Sequence, residues 1–510
     1  MPQTTFMTPG VYVQEVDKGT KPIEAVGASI AAFIGMTKEA STKKIDPETG
    51  ALVPDQDILK KPQLITSWTQ FEQTYGGLSA DIYMPDAVYG YFNNGGGPCY
   101  IVSVKTIGSD TPSLDIFDVT GKKVGFTVTA KDPMKVTDVI KIKITVEKDK
   151  NSFTMTVDDE SRELTMEGLK QMAGADGVVR HLFTKVVISN IGTDTPKAGD
   201  YTLGRAPITL LQEGDILGSE ADRTGLNGLT AFDDVKLLLC PDVMVGYKNT
   251  PEHQDRVRGI QGKLLAHCDL VKYCFTVLDT PPGMSVQAAK KWKKDFPNPS
   301  SRAALYYPWI WVADITGGQG KKLMPSSGHV VGVYNRVDNE RGVHKAPANE
   351  VVQGALDLEI RLSKKDQEVL NPEGVNCIRA FPGRGIRIWG ARTMSADPSW
   401  RYINVRRLFI VVGDSLDRGL QWVVFEPNDR TLWGKVRRDV RSFLRTMWLG
   451  GAFFGSTPDE AFYVKCDDDI NPPEIRDLGQ LIIEVGIAPV KPAEFVIVRL
   501  SQWAGPNAEA

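Results

Sequence analysis

Residues 376–393 read NCIRAFPGRGIRIWGART, and residues 400–407 read WRYINVRR. Arginines alternate there with Ile, Trp, Val and Tyr at a period of two. That spacing places the apolar side chains on one face of a strand and the guanidinium groups on the other. A solvated run of charge would lack the apolar face. The pattern therefore predicts a packed domain with a basic surface that faces a protein partner.

Further stretches of unusual sequence lie on both sides of this segment. They are PGVYVQEV at residues 9–16, PSSGHVVGVYNRVD at 325–338, RGVHKAPAN at 341–349, EPN at 426–428, LW at 432–433 and APVKPAEF at 488–495. In this order they resemble the contractile tail sheath proteins of myophage-type tails and related contractile injection systems. The resemblance covers about the first hundred residues and everything after about residue 205. Residues 112–205 show no recognisable counterpart.

The resemblance implies a structural function. A sheath subunit polymerises helically around an inner tail tube, is held extended, and contracts to drive the tube through a target envelope. The implied partners are further copies of the chain, the inner tube protein, and baseplate and tail terminator or cap proteins. The implied location is a phage tail or phage-tail-like particle assembled in the bacterial cytoplasm. Virus, bacteriocin and injection system all stay open as the source.

Composition limits the remaining classes of function. The 510 residues exceed one ordinary core and suggest about three domains. A formal net charge of −3 creates no global field that would favour nucleic acid or a membrane surface. The six cysteines include no CxxC pair, so we expect reduced thiols and neither a disulfide framework nor a zinc site. The first residues have no signal-peptide pattern, and the apolar runs are too short for membrane insertion.

The succession of strand-like, helix-like and loop-like segments divides the chain into five parts. We expect an α/β and α+β multidomain protein with a core of mixed sheets and helices, a β-rich insertion, and extended strand-forming arms. The predicted parts are an N-terminal arm (1–22), a core (23–111 and 206–375), an outward insertion (112–205), an inner C-terminal domain (376–494) and a C-terminal arm strand (495–510).

Both ends of the chain carry short strand-like segments without a local partner. A short isolated strand is not stable in water, so each segment is expected to pair with a neighbouring copy. The predicted inter-subunit strand residues are Val11, Tyr12, Val13 and Val16 at the start, and Phe495, Val496, Ile497, Val498 and Leu500 at the end.

Residues 206–315 follow a βαβαβ rhythm, with strands predicted at 235–240, 273–278 and 303–312 and helices at 254–269 and 285–295. Asp242 and Asp279 lie where an α/β enzyme would place its site, at the carboxyl ends of strands. An oligomeric enzyme using this sheet is therefore the alternative function. Turn or helix-capping functions for both aspartates fit their Pro-rich context better.

Other possible sites are weaker, and we expect no catalytic residue, cofactor or metal. Ser327, His329 and Asp338 lack a GxSxG elbow, and residues 329–334 are predicted as a strand after a turn. His267, Cys268 and Cys274 lack a fourth metal ligand at suitable spacing. The glycines at 317–320 lack the Ser or Thr of a phosphate loop. Nucleic-acid binding by residues 379–445 is a third alternative, and steep salt dependence would indicate it.

Residues 433–449 form a predicted helix with two different faces. Val436, Val440, Phe443, Leu444 and Met447 recur at helical spacing and form an apolar stripe. Arg437, Arg441 and Arg445 follow one another at steps of four residues, and like charges at that spacing destabilise a helix. An acidic partner is therefore expected to compensate these three charges. In sheath proteins an inner helix of the C-terminal domain faces the tube. The residues predicted to face the tube are Lys435, Arg437, Arg438, Arg441 and Arg445.

Overall fold

In the computed structural model, the chain divides into two compact units. The structure describes residues 23–27, 29–45, 52–108, 111–132, 134, 137–146, 152–316 and 320–499. Of the described residues, the large unit comprises those within 27–410 and 491–499, and the small unit comprises 411–490 and 23–26.

The strands and helices follow the chain as two series. The strands are β1 (Ala31–Thr37), β2 (Ser41–Ile45), β3 (Leu52–Asp57), β4 (Gln63–Ile65), β5 (Cys99–Thr106), β6 (Ser113–Phe117), β7 (Val124–Ala130), β8 (Val139–Val146), β9 (Phe153–Val157), β10 (Glu160–Leu164), β11 (Val186–Ser189), β12 (Gly199–Gly204), β13 (Leu237–Leu239), β14 (Phe275–Asp279), β15 (Ala303–Tyr307), β16 (Ile310–Ala313), β17 (Lys321–Met324), β18 (Glu350–Val351), β19 (Ala355–Leu358), β20 (Val375–Phe381), β21 (Gly385–Ile388), β22 (Phe462–Lys465) and β23 (Glu484–Ile487). The helices are α1 (Trp68–Tyr75), α2 (Met84–Asn93), α3 (Met166–Met172), α4 (Glu213–Leu217), α5 (Gly225–Gly228), α6 (Pro251–Val271), α7 (Val286–Lys294), α8 (Ser327–Arg341), α9 (Lys364–Leu370), α10 (Ile403–Gly419), α11 (Arg430–Leu449), α12 (Pro458–Ala461) and α13 (Pro473–Asp477).

A nine-stranded sheet forms the centre of the large unit, in the order β18-β21-β20-β15-β14-β13-β1-β5-β4. The strands from β20 to β5 run parallel, and the outer strands β4, β21 and β18 pair antiparallel. The predicted βαβαβ rhythm is confirmed by β13-α6-β14-α7-β15. The third predicted strand is interrupted, because Pro308 cannot donate a ladder hydrogen bond, and β16 belongs to a separate three-stranded sheet.

The central sheet separates two apolar cores. Leu238 of β13 packs in one core with Leu264 of α6 and Trp292 of α7. Leu237 and Leu239 pack in the other core with residues of α2 and α8. Successive strand residues point to opposite faces, so a strand covered on both faces reads as an uninterrupted apolar run.

Residues 329–334, predicted as a strand, lie instead within helix α8. The run of valines favours a strand locally, but tertiary contacts override that preference. Glycines let α8 approach α2 closely. A Cβ at Gly332 would lie 2.5 Å from the carbonyl oxygen of Tyr91, and a Cβ at Gly328 would lie 2.4 Å from that of Ala87.

The middle of the chain forms a β-rich module with its own core. One sheet has the order β11-β7-β6 and the other β10-β9-β8-β12. Ile116, Phe126, Ile142 and Met155 are among the buried residues between them. At the exit of this module the buried side chain of Arg205 pairs with Asp81 and donates to the carbonyl of Met134 at 3.1 Å. The module therefore has a local core of its own and is also bonded to the rest of the large unit.

The predicted domain boundary at residue 376 differs from the division in the structure. Strand β20 begins at Val375 and pairs with β15 in the central sheet, and β21 follows it there. The arginine-rich strands thus extend the core sheet. The chain passes from the large unit to the small unit after residue 410.

In the small unit α11 packs against β22, and Phe453 and Phe462 are buried. Its strands β22 and β23 form a two-stranded antiparallel sheet. Across the described ranges, no helix combines the length and the hydropathy that crossing a membrane would require.

Candidate assembly interface

Helix α11 has a buried side and an exposed basic side. Its first turn is capped by Asp429, whose carboxylate accepts from the backbone N–H of Leu432 at 2.7 Å. Val436, Val440, Phe443 and Leu444 are buried, which confirms the predicted apolar stripe. Met447 is partly buried at the end of the same stripe.

The five predicted tube-facing residues have different environments. Arg437 is half-buried and donates to the carbonyl of Cys466, whereas the other four are exposed. Arg441 pairs with Asp459 at 2.9 Å, and Arg438 pairs with the adjacent Asp439 at 3.2 Å. Arg437 is half-buried because it lies beside the apolar stripe, three residues before Val440 and seven before Leu444.

Lys435 and Arg445 are exposed and have no acidic partner within the described part of the chain. Lys435, Arg438 and Arg445 are separated by three and seven residues, so they lie on one face of the helix. We call these three residues the basic stripe. Arg441 borders it, and Arg437 lies outside it.

The beginning of the C-terminal arm is an exposed apolar segment. Phe495, Val496, Ile497 and Val498 retain 72%, 80%, 83% and 73% exposure, respectively. Residues 495–499 belong to no helix or strand of the described chain. The other predicted inter-subunit residues, Val11, Tyr12, Val13, Val16 and Leu500, lie outside the described residues.

The arginines that suggested a basic surface are mostly used inside the large unit, which corrects that expectation. Arg407 pairs with Asp338, and Arg392 pairs with Glu494 at 2.7 Å. The guanidinium of Arg406 stacks 3.5 Å from the centre of the Trp400 ring. Their partners come from distant parts of the sequence or from aromatic faces. Arg384 and Arg401 are left exposed, and the half-buried Arg387 donates to the carbonyls of Arg384 and Asn349.

The two aspartates of the enzyme alternative bind backbone amides. Asp242 accepts from the N–H groups of Tyr83 at 2.6 Å and Met84 at 3.0 Å, where α2 begins, and from Met36 at 2.6 Å. Burial raises the pKa of Asp242 to about 6. Its oxygens hold a helix start and the end of β1, which is a structural function.

Asp279 is used in the same way at the start of α8. It accepts from the N–H groups of Ser326 at 2.9 Å and Ser327 at 3.0 Å, and from the Ser326 hydroxyl. Burial raises its pKa to about 6 as well. Asp338 pairs with Arg407, so Ser327, His329 and Asp338 form no triad. The imidazole of buried His329 packs against Gly90, and burial lowers its pKa to about 4.

Comparison with known proteins assigns the chain to a family. The model of the phage tail sheath protein central domain matches residues 255–394, and the model of the phage tail sheath C-terminal domain matches residues 395–502. The chain belongs to the contractile tail sheath proteins. The enzyme alternative receives no support, and the matched relatives are structural sheath proteins.

The similarity to sheath proteins extends over nearly the whole chain. The tail sheath protein of Burkholderia phage BcepMu is 24% identical over 499 residues, covering 93% of this chain and 92% of the relative. A putative prophage major tail sheath protein of Pseudomonas aeruginosa is 25% identical, covering 56% and 72%. At 93% coverage the match must include much of residues 112–205, so the expectation that this segment has no counterpart in the family is wrong.

Solved sheath structures share the fold of the subunit. The sheath of the anti-feeding prophage in its contracted state has a TM-score of 0.58 at 24% identity, covering 98% of this chain and 100% of that one. The sheath complex of the extracellular contractile injection system PVC in its contracted state has a TM-score of 0.59 at 22% identity, covering 98% and 99%. These likenesses show the fold. The two sheath-domain models, which match residues 255–502, identify the subunit as a component of a phage tail or phage-tail-like particle.

Proposed function

We propose that copies of this sheath subunit polymerise helically around an inner tube, and that contraction of the polymer drives the tube through a target envelope. Baseplate and terminator proteins would close its two ends. The observation that carries the proposal is the segment Phe495–Val498, four consecutive apolar residues that are 72–83% exposed in the isolated subunit. Apolar surface of this kind marks a protein interaction site.

The C-terminal arm fits strand donation to a neighbouring copy. Backbone hydrogen bonds to a sheet edge stabilise such a pair by about 0.5–1.5 kcal/mol each, and burial of the four apolar side chains adds to this. The N-terminal arm is also proposed to donate a strand, because its sequence reads as a short strand without a local partner. Repetition along a helical polymer multiplies a modest gain at each joint.

The small sheet of β22 and β23 is a suitable acceptor for such a strand. Within the described residues each of these strands pairs only with the other, so each has an open edge. Tyr463 of β22 retains 53% exposure, and Phe454 nearby in sequence retains 75%. A two-stranded sheet is marginally stable by itself, and additional strands from neighbours would complete it.

The basic stripe of α11 is proposed to bind an acidic surface of the tube. Lys435 and Arg445 have no internal counter-charge among the described residues. Exposed ion pairs contribute only about 0–1 kcal/mol each. Weak contacts of this type can guide assembly on the tube and then separate together when the sheath widens, whereas a tight apolar interface would resist contraction.

Assembly is proposed to take place in the bacterial cytoplasm. All six cysteines are buried and unpaired, which fits a chain that folds in a reducing compartment. The energy of contraction would come from differences in subunit packing between extended and contracted polymers.

Deletion of residues 495–510 tests strand donation. The truncated subunit should keep its circular dichroism spectrum, because residues 495–499 are in no regular element, but it should fail to form rods in sedimentation and electron microscopy. Rods of normal length from the truncated subunit would contradict the proposal.

A further inference from the structure

The C-terminal arm begins immediately after a residue that is firmly held. The Oε1 atom of Glu494 accepts hydrogen bonds from Asn371 Nδ2 at 2.6 Å and Arg392 Nε at 2.9 Å. Its Oε2 atom accepts from Arg392 Nη2 at 2.7 Å and the Tyr402 hydroxyl at 3.2 Å. The side chains of Glu494 and Arg392 are only 19% and 11% exposed, so water competes poorly for these bonds.

Arg392 is bonded in turn to the central sheet. Its N–H donates to Asn376 Oδ1 at 2.7 Å, and its carbonyl accepts from Asn376 Nδ2 at 2.8 Å. Asn376 Nδ2 also donates to the carbonyl of Leu305, in β15, at 3.2 Å. A continuous series of hydrogen bonds therefore runs from the root of the arm to a central strand of the large unit.

The contrast with the rest of this segment is sharp. Within the described residues 491–499, Glu494 is the one with side-chain hydrogen bonds, and the four residues after it are exposed. Burial by itself would raise the pKa of Glu494, but the bonds from Arg392 and Asn371 outweigh it and hold the pKa below its ordinary value. The carboxylate thus stays charged at neutral pH.

We propose that Glu494 is the positioning residue that anchors the donated arm and transmits force between neighbouring copies and the body of each subunit. The proposal rests on the donated arm of the proposed function. A link between subunits needs a fixed point at each end: the strand pairing holds one end, and Glu494 holds the other. If Glu494 is released, the tether is longer and looser, so the effective concentration of the arm at its acceptor falls.

The test compares Glu494→Gln with Glu368→Gln, which changes an exposed glutamate of α9 by the same charge. The rate of chymotryptic cleavage at Phe495, next to the anchor, is measured on unassembled subunits, and the concentration at which rods form is measured by sedimentation. Glu494→Gln should speed cleavage at the arm root about tenfold and raise the assembly concentration by about tenfold. Glu368→Gln should change neither.

Tyr402→Phe provides a second variant that removes one hydrogen bond and keeps the ring. It should shift both quantities in the same direction by about twofold to fivefold, because Arg392 and Asn371 still hold the carboxylate. If Glu494→Gln does not fold, Tyr402→Phe decides the question: an unchanged cleavage rate and assembly concentration would overturn the anchor.

Deletion of residues 495–510 separates the anchor from the donated arm. If that deletion prevents assembly while Glu494→Gln assembles at the wild-type concentration, the anchor is wrong and the donated arm stands. If the deleted subunit still assembles, both are wrong, because there is then no arm to anchor.

Discussion

The guanidinium of Arg407 donates to both carboxylate oxygens of Asp338, with 2.9 Å between Nη1 and Oδ1. The two side chains are 3% and 6% exposed. The ring of Tyr334 lies 4.9 Å from the guanidinium, and its hydroxyl bonds that of Tyr306 at 2.7 Å. This pair joins α8 to α10 and so connects two of the stretches that carry the sheath resemblance.

Breaking the Arg407–Asp338 pair should destabilise the large unit strongly. Asp338→Asn leaves a buried guanidinium without a counter-charge, which is expected to lower the free energy of unfolding by about 3–5 kcal/mol. Arg361→Ala, which breaks an exposed pair with Asp357, should cost about 1 kcal/mol or less. Urea unfolding of both variants measures this, and an Asp338→Asn variant as stable as Arg361→Ala would contradict the interpretation.

The buried aspartates predict a distinctive pH dependence. Burial raises the folded-state pKa of Asp242 and of Asp279 to about 6, above the ordinary value of 3.8. Between these pH values the folded state binds more protons than the unfolded state. The contribution of each group to the free energy of unfolding therefore increases as pH falls from about 6 to about 4, by up to about 1.4 kcal/mol per pH unit.

Asp242→Asn should remove the contribution of Asp242 to the pH dependence of the free energy of unfolding. The difference in unfolding free energy between wild type and variant should widen as pH is lowered from 6 to 4. Urea midpoints across this range measure it, with Asp222→Asn at an exposed aspartate as the control. A constant difference between wild type and Asp242→Asn at all these pH values would refute the assignment.

Reversal of the basic stripe should prevent binding to the tube. Lys435→Glu with Arg445→Glu replaces two attractions by repulsions, so co-sedimentation with the tube protein of the same particle should fall about tenfold or more at ordinary ionic strength. The fold should persist, because Val436, Val440 and Phe443 are unchanged. Lys364→Glu with Lys365→Glu, which alters exposed lysines of α9 by the same charge, serves as control. Tube binding at wild-type strength by the stripe variant would exclude this surface.

The β-rich module is expected to be an outward decoration that assembly does not need. Replacement of residues 113–204 by a short Gly/Ser joint should leave a subunit that still forms rods, because the module has its own core. Arg205 is kept in this variant, since its side chain binds Asp81. Aggregation of the shortened subunit, while the excised module stays folded in solution, would show that the module is part of the core.

Much of the fold could be predicted from local patterns of apolar residues in the sequence. The strands β13, β14 and β15 are short apolar runs separated by helices, and α11 shows a complete apolar stripe at helical spacing. Each of these elements buries a face or the whole of its length, and that burial produces a recognisable pattern of apolar residues in the local sequence.

Features that depend on contacts between residues far apart in the sequence could not be predicted. Helix α8 begins where Asp279, 48 residues earlier in the chain, accepts the N–H of Ser327, and no local pattern records that partner. Arg407 looked like a surface charge because Asp338 lies 69 residues away. Arg437 binds a carbonyl group, which any residue supplies. Of the proposed assembly surfaces, the C-terminal arm could be predicted from its run of apolar residues. Its anchor at Glu494 could not, because the hydrogen-bond partners of Glu494 are distant in the sequence.

The most direct test of the central claim is electron microscopy of the purified full-length subunit over a range of concentrations. A sheath subunit whose arms link neighbouring copies should form long hollow rods above a threshold concentration. Compact small oligomers at every concentration, with no rods, would contradict the account.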